Sequence, residues 1–423
     1  MKILIKDALV LHPGSPDHQK KKDILINNGK IAEIGQNLAE EGTVIKGKKL
    51  MVSAGWFDMR ANFNDPGNEH KEDIISGGET AAAGGFTGVA ILPNTKPALQ
   101  SKNDISYVIR KSEGSFPEIY PYGSVTRDTK GEEITEMIDQ HTAGAVAFTD
   151  GEHTLWNTDI MMKALLYVKK FDGLILNKPE DKWLNFLGNM HEGPVSTRLG
   201  LKGMPVIAEE ITIERDLRIL GYTGGRLHFS NISTVNAVKL IRNAKKTGLD
   251  VSCDIGAHQI AFDDQALSDF DTDYKVNPPF REKKDIRALI RGLEDDTIDI
   301  IVSSHTPQDT ENKNLEFDLA EFGIIGLQTF YPIMVNVFGE DGWKIFLPKV
   351  TVNPRKRLNL KMPEFRKGAP ANLTVFDPTI SWTLNASTNK SKSTNSPFWN
   401  KKLQGAVVAT INKNKTYIAG FSA

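Results

Sequence analysis

The sequence predicts an α/β protein, a (β/α)8 TIM barrel with a small β-sandwich domain formed by the N- and C-terminal segments. Three observations carry this expectation. Between roughly residues 53 and 360, apolar strand-like runs alternate with helical patterns, the order of a parallel βα-repeating sheet. Both ends are instead built of short apolar runs and tight turns. The central runs end in polar residues, where a barrel delivers its ligands and catalytic groups. The boundaries expected are 1–52 and 362–423 for the sandwich and 53–361 for the barrel. A doubly wound sheet is the competing fold, but the strand count and the two β-rich ends favour the barrel.

The elements follow in order. Ile3-Leu4-Ile5, Ala8-Leu9-Val10-Leu11, Ile24-Leu25-Ile26 and Ile31-Ala32-Glu33-Ile34 read as short strands, with Asn27-Asn28-Gly29-Lys30 as a turn. An Asn-Gly pair between apolar runs is a strong hairpin signal. The barrel strands expected are 88–94, 143–150, 173–178, 225–231, 250–254 and 298–305, after a first strand near 50–58. Val235 to Thr247 has helical spacing at Val238, Ile241 and Lys245, with Gly248 as a stop. At the far end, 371–377 and 405–411 are strand-like and Lys413-Asn414-Lys415 makes a second hairpin turn.

Bulk composition narrows the function. With 39% hydrophobic and 25% charged residues the chain is an ordinary globular protein. A formal net charge of −1 gives no electrostatic case for nucleic acid or an anionic membrane. One cysteine, Cys253, excludes an internal disulfide and suits a reducing cytoplasm. No apolar run approaches the roughly 18 residues of a membrane span, and Met1 to Lys6 lacks the pattern of a signal peptide. A cytoplasmic homo-oligomer is expected.

The stretch with most chemistry is Asp58-Met59-Arg60-Ala61-Asn62-Phe63-Asn64-Asp65-Pro66-Gly67, after Ala54-Gly55. Other distinctive segments are Leu92-Pro93-Asn94-Thr95-Lys96-Pro97, Phe148-Thr149-Asp150, Lys178-Pro179-Glu180-Asp181, Ser230-Asn231-Ile232-Ser233-Thr234, Lys275-Val276-Asn277-Pro278-Pro279 and Ser303-Ser304-His305. In this order and spacing the chain resembles, over essentially its whole length, the type I dihydroorotases of the cyclic amidohydrolase superfamily, and among them the non-catalytic dihydroorotase-like members.

The resemblance implies the barrel, the terminal sandwich and a zinc centre that activates water against a cyclic amide. It places the metal and catalytic groups at Arg60, Asn62, Asp150, Lys178, Asn231 and Ser304, where the family has histidines and aspartates. Only Asp150 is retained, as the bridging aspartate; Ser304 replaces the catalytic one. Ammonium and guanidinium groups offer no lone pair, and neutral amides and hydroxyls are poor zinc ligands. No metal or other cofactor is therefore expected. Arg60, Lys178 and Asp150 are expected to form an ion-paired plug in the metals' place.

By the same resemblance Asn64, Asn94, Asn277 and His305 line the substrate pocket. Asn64 stands where the family's arginine holds the substrate carboxylate, and Asn277 could equally serve the turn before Pro278. None of the nine histidines forms a His-x-His or His-x3-His pair, so for each the default is a structural histidine; His305, at a strand end, could equally be a relic of the site. Ser304 and His305 are adjacent on a strand and point to opposite faces, so they make no dyad. Glu180 and Asp181 are expected to cap a helix or stay solvated and 389–393 to be an exposed loop; 306–322 looks by position like the family's flap, but without a catalytic site below it an ordered contact surface or a plain loop is expected.

Three functions are compatible: a non-catalytic homologue assembling with aspartate transcarbamoylase in pyrimidine biosynthesis, a working dihydroorotase or cyclic amide hydrolase with a non-standard site, and a ligand-binding protein without turnover.

Overall fold

The computed structural model describes residues 1–39 and 42–420. The Asn28-Gly29 turn takes φ of +47° and +72°, the left-handed pair that a two-residue hairpin requires. It joins Lys21–Asn27 to Lys30–Gly35. These strands belong to one eight-stranded sheet that draws on both ends of the chain. Its seam is the antiparallel pairing of Met51–Ala54 with Asn372–Thr383, with Val52 opposite Val375. Ile3, Ile5, Ile24, Ile26, Val375 and Ile411 bury one another inside this sheet.

The chain crosses from sheet to barrel at Gly55-Trp56. A Cβ on Gly55 would strike the side chains of Asn372 and Thr87, so only glycine allows this approach. Trp56 is fully buried and touches Phe86, Phe330, Tyr331, Phe346 and Phe376, with ring centroids 5.3–6.0 Å away. This aromatic cluster ties the barrel to the terminal sheet.

The barrel strands are Trp56–Ala61, Phe86–Ile91, Glu118–Pro121, Leu174–Asn177, Arg226–Phe229, Val251–Gly256 and Ile300–Val302. They pair in parallel as groups of three and four. The fourth position in the ring is an extended segment at Phe148, bridging Gly123 on one side and Ile175 on the other. The ring closes where Ala61 meets His305 and Asn62 N–H donates to the His305 carbonyl at 2.8 Å. Phe57, Met59, Leu174, Leu176, Ile300 and Val302 pack the interior, so the barrel is a filled core with its working end at the strand C-termini. Val235–Lys246 is helical, as its spacing predicts, capped by the Thr234 side chain on Ala237 N–H. Among the described residues no helix is long and apolar enough to cross a membrane.

One irregularity serves the site. Asp58 pairs with Val89 but Ala61 with Ile91, so the first strand carries an extra residue there. Such a bulge re-aims a side chain beside an active site, and here the re-aimed residue is Arg60.

Candidate active site

Arg60, Lys178, Asn231 and Ser304 meet at the C-terminal mouth of the barrel, all buried. The carboxylate between them is Glu152. Arg60 Nη2 lies 3.0 Å from Glu152 Oε2, Lys178 Nζ lies 3.8 Å from it, and Asn62 Nδ2 donates to Glu152 Oε1 at 2.8 Å. Burial opposes charge on Glu152, but the Arg60 guanidinium, the Lys178 ammonium and the Asn62 hydrogen bond hold its carboxyl below the ordinary range. Lys178 has a second carboxylate in Glu180, at 3.4 Å.

Asn231 and Ser304 are tied into the same cluster. The donors around the Asn231 amide set its oxygen to accept from Arg60 Nε at 3.0 Å and from Ser304 Oγ at 2.9 Å, and its nitrogen to donate to Asp254 Oδ1 at 3.2 Å. Asn231 and Ser304 have φ of +55° and +49°, strained values of the kind that gather at functional sites. Beneath them runs a buried polar line: His228 bonds Asp254 Oδ2 at 2.9 Å and Ser252 Oγ at 2.7 Å.

Asp150 is not the anion of the plug. Its carboxylate accepts from Thr126 N–H at 2.9 Å and Thr126 Oγ1 at 2.5 Å, and among the described residues it forms no ion pair with either cation. Burial raises it to about 6 despite those bonds. The plug exists with Glu152 in the role expected of Asp150. Glu152, a second carboxylate just beyond Asp150-Gly151, is the local signal that could have found it. Gly151 makes the turn at φ +67°.

A cavity of about 260 Å³ opens above the cluster, with Glu152, Lys178, Asn231, His258, Asn277 and Ser304 in its wall. Of the four expected pocket residues only Asn277 lines it, and Asn277 also donates to Glu180 Oε2 at 3.0 Å. Asn94 instead braces the 150–152 turn, donating to the Asp150 carbonyl at 3.0 Å and accepting from Glu152 N–H at 2.9 Å. Asn64 sits outside the cavity at φ +57°; its amide nitrogen has no partner among the described residues. His305 is wholly buried, accepting from Gly326 N–H at 3.2 Å while its Nε2 faces Glu72 at 3.3 Å.

Two further expectations change. Glu180 is neither a cap nor solvated but is drawn to Lys178 and Asn277; Asp181 does cap the next turn, accepting from Trp183 and Leu184 N–H at 2.9 Å. The 389–393 segment packs inward: Ser393 is buried and the Ser391 hydroxyl bonds Glu72. The 306–322 segment contributes Thr306, Gln308, Glu321 and Phe322 to the cavity wall. His258, unassigned from sequence, faces the cavity with Nδ1 unpartnered. Burial, and then the Arg60 charge, lower it to about 4.

A zinc centre does not fit this donor set. Two of the six positions carry cations, three carry neutral amides or hydroxyls, and the carboxylate of the sixth faces elsewhere. Among the described residues no group of three or more His, Cys, Asp or Glu side chains is placed to hold a metal.

The barrel, with its polar strand ends and a sheet from both termini, is the architecture of the amidohydrolases. L-hydantoinase (dihydropyrimidinase) from Arthrobacter aurescens superposes with a TM-score of 0.84 at 22% identity, covering 98% of this chain and 95% of that one. D-hydantoinase from Thermus sp. gives 0.80 at 20% identity, covering 98% and 95%; at such identities the likeness concerns fold alone. The dihydro-orotase-like family model matches residues 48–237. Dihydroorotase of Geotalea daltonii is 38% identical over 98% of this chain and 99% of its own length. That of Geobacter metallireducens is 39% identical over 97% and 98%. The chain belongs to the dihydroorotase family.

Proposed function

We propose that this protein is a non-catalytic dihydroorotase homologue that serves pyrimidine biosynthesis in the cytoplasm by assembling with aspartate transcarbamoylase. The observation that carries the first half is the Arg60–Glu152–Lys178 cluster at the strand ends. Hydrolysis of a cyclic amide needs an activated water and a base whose pKa is near the working pH. Ser304 is no base at neutral pH, Asp150 is bound to Thr126, and His258, at about 4, is too weak a base. Asn64 also lacks the bidentate grip on a carboxylate that an arginine provides. The assembly half rests on family resemblance.

The open cavity of about 260 Å³ favours a second reading, a protein that keeps a carbamoyl-aspartate-like ligand without turning it over. The test is dihydroorotate hydrolysis with added zinc, elemental analysis of the purified protein and co-purification with aspartate transcarbamoylase. Silence, no stoichiometric zinc and a stable complex are expected. Turnover within about a hundredfold of the typical enzyme median of ~10 s⁻¹ would defeat the reading. Calorimetric binding of N-carbamoyl-aspartate would establish the second one.

A further inference from the structure

The segment that forms one side of the cavity is held by two ammonium groups that take no part in the cluster below. It leaves the barrel after His305, passes through the short helix Thr310–Lys313 and returns at Gly323-Ile324. Its ends are joined where Thr306 N–H donates to the Ile324 carbonyl at 2.8 Å. Lys275, two residues before Asn277, donates from Nζ to the carbonyls of Phe317 and Asp318 at 2.7 and 3.1 Å. Lys313, on the segment itself, donates to the carbonyls of Glu321 and Gly323 at 3.0 and 3.4 Å. The carbonyl between those two, of Phe322, accepts from Gln308 Nε2 at 2.8 Å. Lys275 and Lys313 are 1% and 6% exposed, and among the described residues no carboxylate lies within ion-pair distance of either. A buried ammonium without a paired carboxylate is costly, and here four backbone carbonyls stand in for one. Burial lowers both lysines to about 8, with Asp318 and Glu321 opposing it at Lys275 and Asp273 opposing it at Lys313.

We propose that 306–323 is a strap latched by Lys275 and Lys313, which hold it as a preformed wall of the cavity whatever the cavity contains. All four carbonyls that the latch uses belong to the returning limb, and that limb brings Glu321, Phe322 and Gly323 to the cavity wall. Lys275 Nζ also lies 4.8 Å from the ring centroid of Phe322 and 5.4 Å from that of Phe317, so one cation fixes both the backbone and the rings of this limb. The backbone returns the contact, with Gly323 N–H on the Lys275 carbonyl at 2.9 Å and Glu321 N–H on the Asn312 carbonyl at 3.0 Å. Bonds from a charged donor are stronger than neutral ones, and removing the donor strands acceptors in the interior. None of these contacts uses Arg60, Glu152 or Lys178, so the order of the strap is separable from the state of the cluster. A lid that closes on its ligand draws its order from that ligand; this strap draws it from its own chain.

Hydrogen exchange of the full chain, read by mass spectrometry, tests this independently of turnover. In the unaltered chain the bonded amides of Thr306, Glu321 and Gly323 should exchange at least about a hundredfold more slowly than unprotected ones. Millimolar dihydroorotate or N-carbamoyl-aspartate should change those rates less than about twofold. Lys275→Met and Lys313→Met should each speed exchange across the strap at least about tenfold, while the strands Leu174–Asn177 and Val251–Gly256 stay protected and so report an intact barrel. Glu152→Gln, which alters the cluster and not the latch, should leave the strap unmoved. A strap that is unprotected in the unaltered chain and gains protection only with added ligand overturns the proposal, and this arm decides the matter even where a lysine variant fails to fold. Folded lysine variants with unchanged strap exchange overturn it too, as does a strap that Glu152→Gln loosens as much as Lys275→Met.

Discussion

Glu152→Gln removes the one carboxylate shared by Arg60 and Lys178. Deleting one partner of a buried ion pair costs about 3–5 kcal/mol, because the other charge is left without compensation. Two features of the site reduce that figure. The Glu152 side chain is 29% exposed, so water already screens it, and Lys178 keeps Glu180 at 3.4 Å. Arg60 keeps only neutral acceptors, the Asn231 amide and the Gly151 carbonyl. The expected loss is therefore about 2–3 kcal/mol. At roughly 2–4 °C per kcal/mol for a domain of moderate size, calorimetry should record a melt several degrees lower. Adding Arg60→Met to Glu152→Gln should recover part of it, since removing both charges of a pair costs less than removing one. The effect also has a sign in pH. The folded state holds Glu152 below its ordinary 4.5, so its contribution is present above that pH and is lost as pH falls below it. The gap between unaltered and variant chains should close in acid. An unchanged melt at neutral pH would refute the account of Glu152 as the anion that compensates Arg60 and Lys178.

Three other outcomes follow from the same geometry. Gly151→Ala places a Cβ against the Asn94 amide oxygen at φ +67°; strain of about 1–3 kcal/mol should lower the melt and disturb the 150–152 turn, and an unaltered melt would show that the turn yields easily. His258, held at about 4 by burial and the Arg60 charge, should show no imidazole titration by NMR between about pH 5 and 8, whereas a midpoint near the ordinary 6.5 would contradict its placement. Asp58 is raised to about 7 by burial, against its bonds from Ser303 and Arg60. The folded state thus holds a proton that the unfolded chain releases near 3.8. Stability from this group falls as pH rises through that window, and Asp58→Asn should remove the slope in a series of melts across it.

Much of the architecture was legible because it is local. Alternation of period two, a helix stop at Gly248 and the Asn28-Gly29 turn each act through the few residues around them. That Arg60 and Lys178 carry cations without a lone pair was legible too, since this depends on a side chain's type and not on its surroundings. Which anion faces these cations was not legible. Asp150 looked like the compensating anion until Thr126, from the preceding strand end, took its carboxylate. Glu180 looked like a cap until Lys178 and Asn277 drew it inward, and 389–393 looked exposed until Glu72 bound the Ser391 hydroxyl. The sequence by itself determined the barrel and the terminal sheet. Only the tertiary structure decided that Arg60, re-aimed by a bulge, answers to Glu152. Ion pairs are chosen by which buried groups the strand ends bring within about 4 Å, and residues distant in the chain compete for each one.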